Sequence, residues 1–247
     1  MNRLEQRGPD NEGIFTDDHI GLGHRRLSII DTSPKGNQPF TDPTDRYVII
    51  FNGEFYNYKE HRSRLVNEGV EFKSTSDTEV LLHLYIKHGE RCLDLINGFF
   101  AFAIFDRAER LLFIARDRFG IKPLYFYSDE SSFMFSSELK ALAELGIPKE
   151  IDRTSLANYL QLNYIPGPHS IFKNVRKLTP GSCLSLDLKD NPLKPSESRY
   201  YSLEVSEHKA SGNYNDARKQ LREVLSASVQ RRLVSDVPLG AFLSGGI

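Results

Sequence analysis

Phe99-Phe-Ala-Phe-Ala-Ile-Phe105 and Leu111-Leu-Phe-Ile-Ala115 flank the polar stretch Asp106-Arg-Ala-Glu-Arg110. Two short apolar runs around a charged turn read as a β-hairpin. Both runs are apolar at nearly every position, so both faces of the sheet they enter are covered. Such a sheet sits inside a stack of layers. Further out, Tyr47-Val-Ile-Ile-Phe51 reads as another strand, and Tyr125-Phe-Tyr127 with Phe133-Met-Phe135 repeats the hairpin pattern. Helices are expected between these strands. One runs from Tyr58 to Glu68 and is ended by Gly69. A second opens on a capping box, Ser76-Asp-Thr-Glu79, and puts Val80, Leu81, Leu84 and Tyr85 on one face before Gly89. Two more are expected over Ser137 to Leu145, and over Thr154 to Leu162 after Asp152. The mixture predicts an α+β layered domain.

Composition narrows the function. The 247 residues are 39% hydrophobic and 26% charged, with a formal net charge of -1. No apolar run approaches the roughly 18 residues of a membrane span, and the polar start Met1-Asn-Arg-Leu-Glu5 is not expected to be a signal peptide. The balance of charge argues against a nucleic-acid partner, whose phosphates call for a basic surplus. Cys92 and Cys183 are the only cysteines. They are expected to be buried structural thiols in a reducing, cytoplasmic setting. The seven histidines show no metal-ligand spacing, so no metal site is expected.

Asp187 to Tyr214 is polar and contains Pro192, Pro195 and Gly212. It predicts a linker, taken as 189–213, between a domain of residues 1–188 and a second unit beginning at 214 and running to 247. In that unit Ala217, Leu221, Val224, Leu225, Ser228 and Leu233 recur at helical spacing. They lead to Ala241-Phe-Leu243, expected to be a buried parallel strand. Ser244, Gly245 and Gly246 would then follow at its carboxyl end, where a glycine-rich loop can cradle a phosphate. An ordinary Ser-Gly-Gly turn is the plainer reading of those residues alone.

Four segments carry polar groups that a core does not require. Arg7-Gly-Pro-Asp10 with Glu12-Gly13 is a turn. Gly21 to Asp31 reads as a strand carrying the adjacent Arg25 and Arg26. Phe51-Asn-Gly-Glu54 places an amide, a bare backbone and a carboxylate just after a strand, and Asp77 sits at a helix start. Together they suit a zwitterion with an amide side chain. The Arg26 guanidinium could hold an α-carboxylate bidentately. Asp77 and Glu54 could accept hydrogen bonds from an α-ammonium, and Asn52 with the Gly53 N–H could form an oxyanion hole. The competing reading makes Asn52-Gly53 a type I′ hairpin turn, Arg26 a surface charge and Asp77 a helix cap.

A resemblance ties these segments together. The ordered set Arg7-Gly-Pro-Asp10, Gly23-His-Arg-Arg-Leu-Ser-Ile29, Phe51-Asn-Gly-Glu-Phe-Tyr-Asn57, Ser76-Asp77, Asn97-Gly-Phe-Phe-Ala101, Ala115-Arg-Asp-Arg-Phe-Gly-Ile-Lys-Pro-Leu-Tyr125, Ser136-Ser-Glu138 and Leu243-Ser-Gly-Gly246 closely resembles glutamine-hydrolysing asparagine synthetase. The resemblance covers nearly the whole chain. It implies an amino-terminal-nucleophile (Ntn) glutaminase, an α-β-β-α sandwich, followed by the first helix and strand of an α/β ATP-pyrophosphatase domain. Arg26, Ile30, Asn52, Gly53, Glu54 and Asp77 align with the family's glutamine pocket, Asn52 and Gly53 being its oxyanion hole. Leu243, Ser244, Gly245 and Gly246 align with the start of its pyrophosphate loop. There the resemblance implies that ATP, with magnesium (Mg2+), adenylates the side-chain carboxylate of aspartate, and that ammonia from glutamine displaces AMP. It leaves a homodimer open.

The chain also departs from the family pattern. The family's glutaminase begins with a cysteine whose thiol attacks the amide, whereas here Met1 is followed by Asn2 and the Arg-Gly-Pro-Asp turn arrives at Arg7. The expectation is a fragment truncated at both ends, without the first strand of the sandwich, the nucleophile, or the rest of the synthetase domain. Such a chain is expected to fold poorly alone, to release no ammonia from glutamine even with a cysteine added at position 2, and to bind ATP negligibly by titration calorimetry. Two other readings stand beside it. One is a non-catalytic glutamine-binding pseudoenzyme module, and the other a related ATP-dependent amide- or β-lactam-forming synthetase.

Overall fold

In the computed structural model, which describes residues 1–190, 192–203, 213–242 and 245, a short 3-10 turn (Asn2–Arg7) precedes an antiparallel pair, β1 (Asn11–Asp17) and β2 (Ile20–Arg26). The chain continues through β3 (Phe40–Thr41), β4 (Tyr47–Phe55) and helices α1 (Tyr58–Asn67), α2 (Asp77–His88) and α3 (Cys92–Leu95). The two predicted hairpins follow, as β5 (Gly98–Asp106) with β6 (Leu111–Arg116), and β7 (Tyr125–Ser128) with β8 (Phe133–Ser136). Helices α4 (Leu139–Glu144) and α5 (Arg153–Leu162) come next. Strands β9 (Val175–Lys177), β10 (Ser182–Asp187) and β11 (Ser196–Arg199) precede the last helix, α6 (Tyr214–Arg231).

The doubly apolar strands lie where their pattern requires. A six-stranded sheet runs β11-β10-β6-β5-β4-β3. Strand alternation divides β5 between its two faces. Phe100, Phe102 and Ile104 pack against Val80, Leu81, Leu84 and Tyr85 of α2. Ala101, Ala103 and Phe105 face the opposite side with Leu22 of β2 and Phe126 of β7. Burying each phenylalanine stabilises the fold by roughly 2 kcal/mol. Beyond the second β layer, Leu142 of α4 packs on Tyr127 and Val175. The layers are therefore α-β-β-α. The second β layer comes in two pieces, β1-β2 and β8-β7-β9. A cavity between them is lined by Leu22 and Gly23 on one side and Phe133 and Phe135 on the other, over Ala101 and Ala103 of β5.

Several boundaries differ from the sequence reading. The strand expected over Gly21 to Asp31 ends at Arg26, and α4 is shorter than Ser137 to Leu145. Ser76 does cap α2 by accepting the Thr78 N–H at 3.1 Å. Glu79, however, reaches past the cap to the N–H groups of Lys73 (2.8 Å) and Ser74 (2.7 Å), because the preceding loop offers it more donors than the cap does. The expected linker is also too long at its start. Residues 196–199 pair with β10 as an exposed edge strand, and the Tyr200 hydroxyl donates to the Arg116 carbonyl at 2.8 Å. Ladder hydrogen bonds need no apolar side chains on an edge, so polar composition concealed this strand. At the far end, Ala241 and Phe242 form no strand and are exposed, for they have no strand neighbour among the described residues. Leu243, Ser244 and Gly246 lie outside those residues. Among the described residues no helix is long and apolar enough to cross a membrane.

One buried carboxylate organises the turn after β6. Asp117 accepts the N–H groups of Phe119 (3.1 Å), Ile121 (3.0 Å) and Lys122 (2.9 Å), and a longer bond from Phe100 (3.3 Å). Arg116 clamps the same turn by donating to the Lys122 (2.7 Å) and Gly120 (2.8 Å) carbonyls. The quoted segment Ala115 to Tyr125 is thus a scaffold that delivers Lys122 to the cavity. Asp117→Ala leaves four N–H groups, that of Phe100 buried, without this acceptor and is expected to destabilise the chain by about 3 kcal/mol, read from urea denaturation.

Candidate functional site

The site is built along one side of β4. The nine-residue strand pairs with β5 from Tyr47↔Asp106 to Phe55↔Gly98, so Asn52 and Gly53 lie within a strand and the hairpin-turn reading is excluded. A glycine is required there by close approach. A Cβ on Gly53 would lie 2.3 Å from the Phe99 carbonyl oxygen and 2.8 Å from the Phe100 Cα.

On its other side β4 meets β3 only at Val48 and Ile49, and beyond them side chains take the place of a strand. The Phe51 N–H donates to Gln38 Oε1 at 2.6 Å, and His24 Nε2 bonds the Phe51 carbonyl at 3.1 Å. The Phe55 N–H donates to Asp77 Oδ2 at 3.0 Å. Strand alternation puts the Gly53 N–H on this same side, between those of Phe51 and Phe55. The carbonyl partner requires Nε2 of His24 to carry its hydrogen, leaving Nδ1 as a buried, unpartnered acceptor. Burial pulls the His24 pKa down to about 4, so the ring stays neutral at physiological pH.

Arg26 ends β2 and is buried. Its Nη1 donates to the Ser33 carbonyl (3.1 Å) and Asn37 Oδ1 (2.9 Å), and its Nη2 to the Ile30 (3.0 Å) and Asp31 carbonyls. Gly36 makes room for it, since a Cβ there would lie 2.4 Å from Nη2. Both terminal nitrogens are thus engaged with the 30–37 loop, and the free bidentate clamp expected from sequence is corrected to a buried cation that shapes that loop. Burial lowers the Arg26 pKa while Asp31, Asp77 and Asp10 oppose the shift.

Asp77 is the first residue of α2 and is buried. Burial pushes its carboxyl up to about 6. The Phe55 and Thr78 N–H groups pull it down, and the like charge of Glu54 adds to the rise. Burial also raises Glu54, against the pull of the Lys122 ammonium. The Asn52 amide donates to Ser137 Oγ over a long 3.3 Å.

Arg26, Ile30, Asn52, Gly53, Glu54 and Asp77 all line the same cavity of about 800 Å³. Gln38, His24, Thr78 and Lys122, which sequence reasoning missed, line it too. A Gln38 bridge from Phe51 to Thr78 (Nε2 to Oγ1, 3.2 Å) leaves no local pattern in the chain, since all its partners are distant. Gly245 lies outside the cavity lining. Both cysteines are buried in the helix-side core and absent from that lining. Burial pushes the Cys92 thiol up to about 12.

Comparison with known proteins bears on both ends of the chain. The sequence profile described as "Glutamine amidotransferase domain" matches residues 1–201, and that described as "Asparagine synthase" matches 220–247. Among curated proteins the chain is 42% identical to asparagine synthetase [glutamine-hydrolyzing] 3 of Bacillus subtilis, over 99% of this chain and 39% of that protein. It is 39% identical to a putative asparagine synthetase [glutamine-hydrolyzing] 2 of Methanocaldococcus jannaschii, over 100% of this chain and 51% of that protein. The chain thus spans between two-fifths and half the length of these relatives. Among solved structures, the glutamine phosphoribosylpyrophosphate amidotransferase of B. subtilis superposes with a TM-score of 0.53 at 22% identity, over 73% of this chain and 35% of that one. Together with the amidotransferase-domain match, that likeness in fold agrees with the expected amino-terminal-nucleophile sandwich.

Two outcomes follow from the geometry. Gly53→Ala forces β4 and β5 apart and is expected to cost about 2 kcal/mol in urea denaturation. Asp77 has a folded pKa of about 6 against an ordinary value of 3.8, so the unfolded chain loses this proton first. The group therefore opposes folding increasingly as pH rises from about 4 to about 6, by on the order of 3 kcal/mol once fully ionised. Asp77→Asn keeps an acceptor for the Phe55 N–H and removes that slope. Its gain in stability over the native chain should grow between pH 4 and pH 7, and a constant difference would contradict the assignment.

Proposed function

As a member of the glutamine amidotransferase domain family, this chain carries, we propose, a pocket for the intact zwitterion of glutamine, formed by residues 1–188. The segment after β11 joins it to the opening part, 214–247, of an ATP-dependent synthetase region. The observation that carries this reading is the meeting of Arg26, Ile30, Asn52, Gly53, Glu54 and Asp77 around one cavity.

The electrostatics suit such a ligand. Two carboxyls raised by burial, one of them further by the other, are relieved by a cation between them, and an α-ammonium supplies it. Arg26 provides buried positive charge for the α-carboxylate end and holds the backbone of Ile30 in place. The Asn52 amide exchanges its long bond to Ser137 for the ligand's amide oxygen. The Gly53 N–H, on the pocket side of β4, is the second donor of an oxyanion hole.

In the longer relatives' class of reaction, ammonia freed from glutamine would pass to an aspartate side-chain carboxylate activated by ATP. The described residues do not build a nucleotide cradle, since Leu243, Ser244 and Gly246 lie outside them and Gly245 stands in open space. Nor do they hold a group of three or more His, Cys, Asp or Glu able to bind a cation. ATP and magnesium therefore enter as partners of the whole reaction, and no step of theirs is assigned to these residues. A second reading, a glutamine-binding module without hydrolysis, is favoured by one observation. Neither thiol reaches the cavity, and Cys92 is held protonated.

The test is calorimetric titration of the 247-residue chain with L-glutamine, alongside an ammonia assay. L-glutamine is expected to bind without releasing ammonia, and Asp77→Asn to weaken binding at least tenfold at pH 7.5. Because the α-ammonium needs an ionised Asp77, affinity should fall as pH drops through about 6, with proton release on binding near that pH. Absence of glutamine binding, or ammonia release that survives cysteine alkylation, would overturn the reading.

A further inference from the structure

The geometry points to Asp236, in the segment after α6, as a positioning residue for one wall of the glutamine pocket. This inference rests on the glutamine reading above. The wall is the turn Ile29-Ile30-Asp31, whose Ile29 and Ile30 line the cavity. Asp236 grips it at two points from 205 residues away. Its Oδ2 accepts the Asp31 N–H at 2.8 Å, and its own N–H donates to the Ile29 carbonyl at 2.9 Å. Nearby, the Arg232 guanidinium stands 4.7 Å from the centre of the Tyr56 ring, and Val234 packs against the helix-side core.

The gripped turn is connected to the charged residues of the pocket. Asp31 is buried and has a positive φ of 51°, a conformation that a residue with a side chain keeps when its surroundings hold it. Its Oδ2 accepts the Thr75 N–H at 2.7 Å, two residues before Asp77. Its Oδ1 accepts the Ser33 N–H at 3.1 Å. Arg26 holds the same turn from the opposite side through the Ile30 and Asp31 carbonyls. Removing the Asp236 carboxylate leaves the Asp31 N–H without its acceptor and frees the turn to shift relative to Arg26 and Asp77. Any displacement of the segment after α6 therefore reaches the glutamine pocket through two hydrogen bonds. This gives the synthetase-like part of the chain a direct hold on the affinity of the other part.

The experiment compares native chain, Asp236→Ala and Asp236→Asn by L-glutamine titration and by amide hydrogen exchange at Asp31, with circular dichroism to monitor folding. Asparagine keeps an oxygen acceptor. Asp236→Asn should thus bind glutamine within about twofold of the native chain, whereas Asp236→Ala should bind about tenfold more weakly and exchange the Asp31 amide at least tenfold faster. General damage to the fold would lower both variants together, so rescue by asparagine separates positioning from simple stability. Native-like affinity, or an unchanged Asp31 amide, in Asp236→Ala overturns the inference. If the native chain binds no glutamine, the pocket reading fails, while the amide comparison still decides whether Asp236 holds the turn.

Discussion

The close approach of β4 and β5 at Gly53 is the constraint on which the remaining arrangement depends. With no Cβ between the backbones, the two central strands run side by side for nine residues. That ladder sets the register of the phenylalanines that meet α2 and of the alanines that leave room for a cavity on the other face. It also sends alternate N–H groups of β4 away from β5, toward a side where β3 has already ended. The pocket exists because that side is served by side chains in place of another strand.

Those side chains are costly to bury. A neutral histidine, a carboxyl with a raised pKa and a guanidinium enclosed by carbonyls stand within one cavity wall, each kept there by hydrogen bonds to backbone. Asp77 shows the conflict plainly. It satisfies the Phe55 N–H, a structural service a neutral amide could render, yet its charge is held against the preference of its surroundings. A group retained at such a cost is best understood through the cation it would meet.

Much of the sandwich was legible in the chain because its strongest signals are local. The doubly apolar runs at Phe99 to Phe105 and Leu111 to Ala115 became central strands, and Asp152 and Gly69 marked helix ends where expected. The site was legible only as scattered fragments until a family resemblance joined them. Asn52-Gly53 has the local signature of a turn, and only its pairing with β5, some fifty residues on, makes it a strand. Gln38 gave no signal, and His24 stood inside the quoted Gly23 to Ile29 segment without an assigned role, since each serves the backbone of Phe51 from a distant part of the chain. Ala241-Phe242 shows the opposite failure, in that an apolar pattern without a neighbouring strand produces no strand.

The two ends of the six-stranded sheet carry a consequence for the behaviour of many molecules together. One margin is β3, only two residues long, and the other is β11, Ser196-Glu-Ser-Arg199, short, polar and exposed along its whole length. Between them lies a set of strands with the composition of a fibril-former, rich in phenylalanine, isoleucine and leucine. A neighbouring chain that tried to extend this sheet would find at one margin almost no ladder to copy and at the other a row of charges and hydroxyls. Short and polar margins of this kind disfavour edge-to-edge pairing between copies of the folded chain.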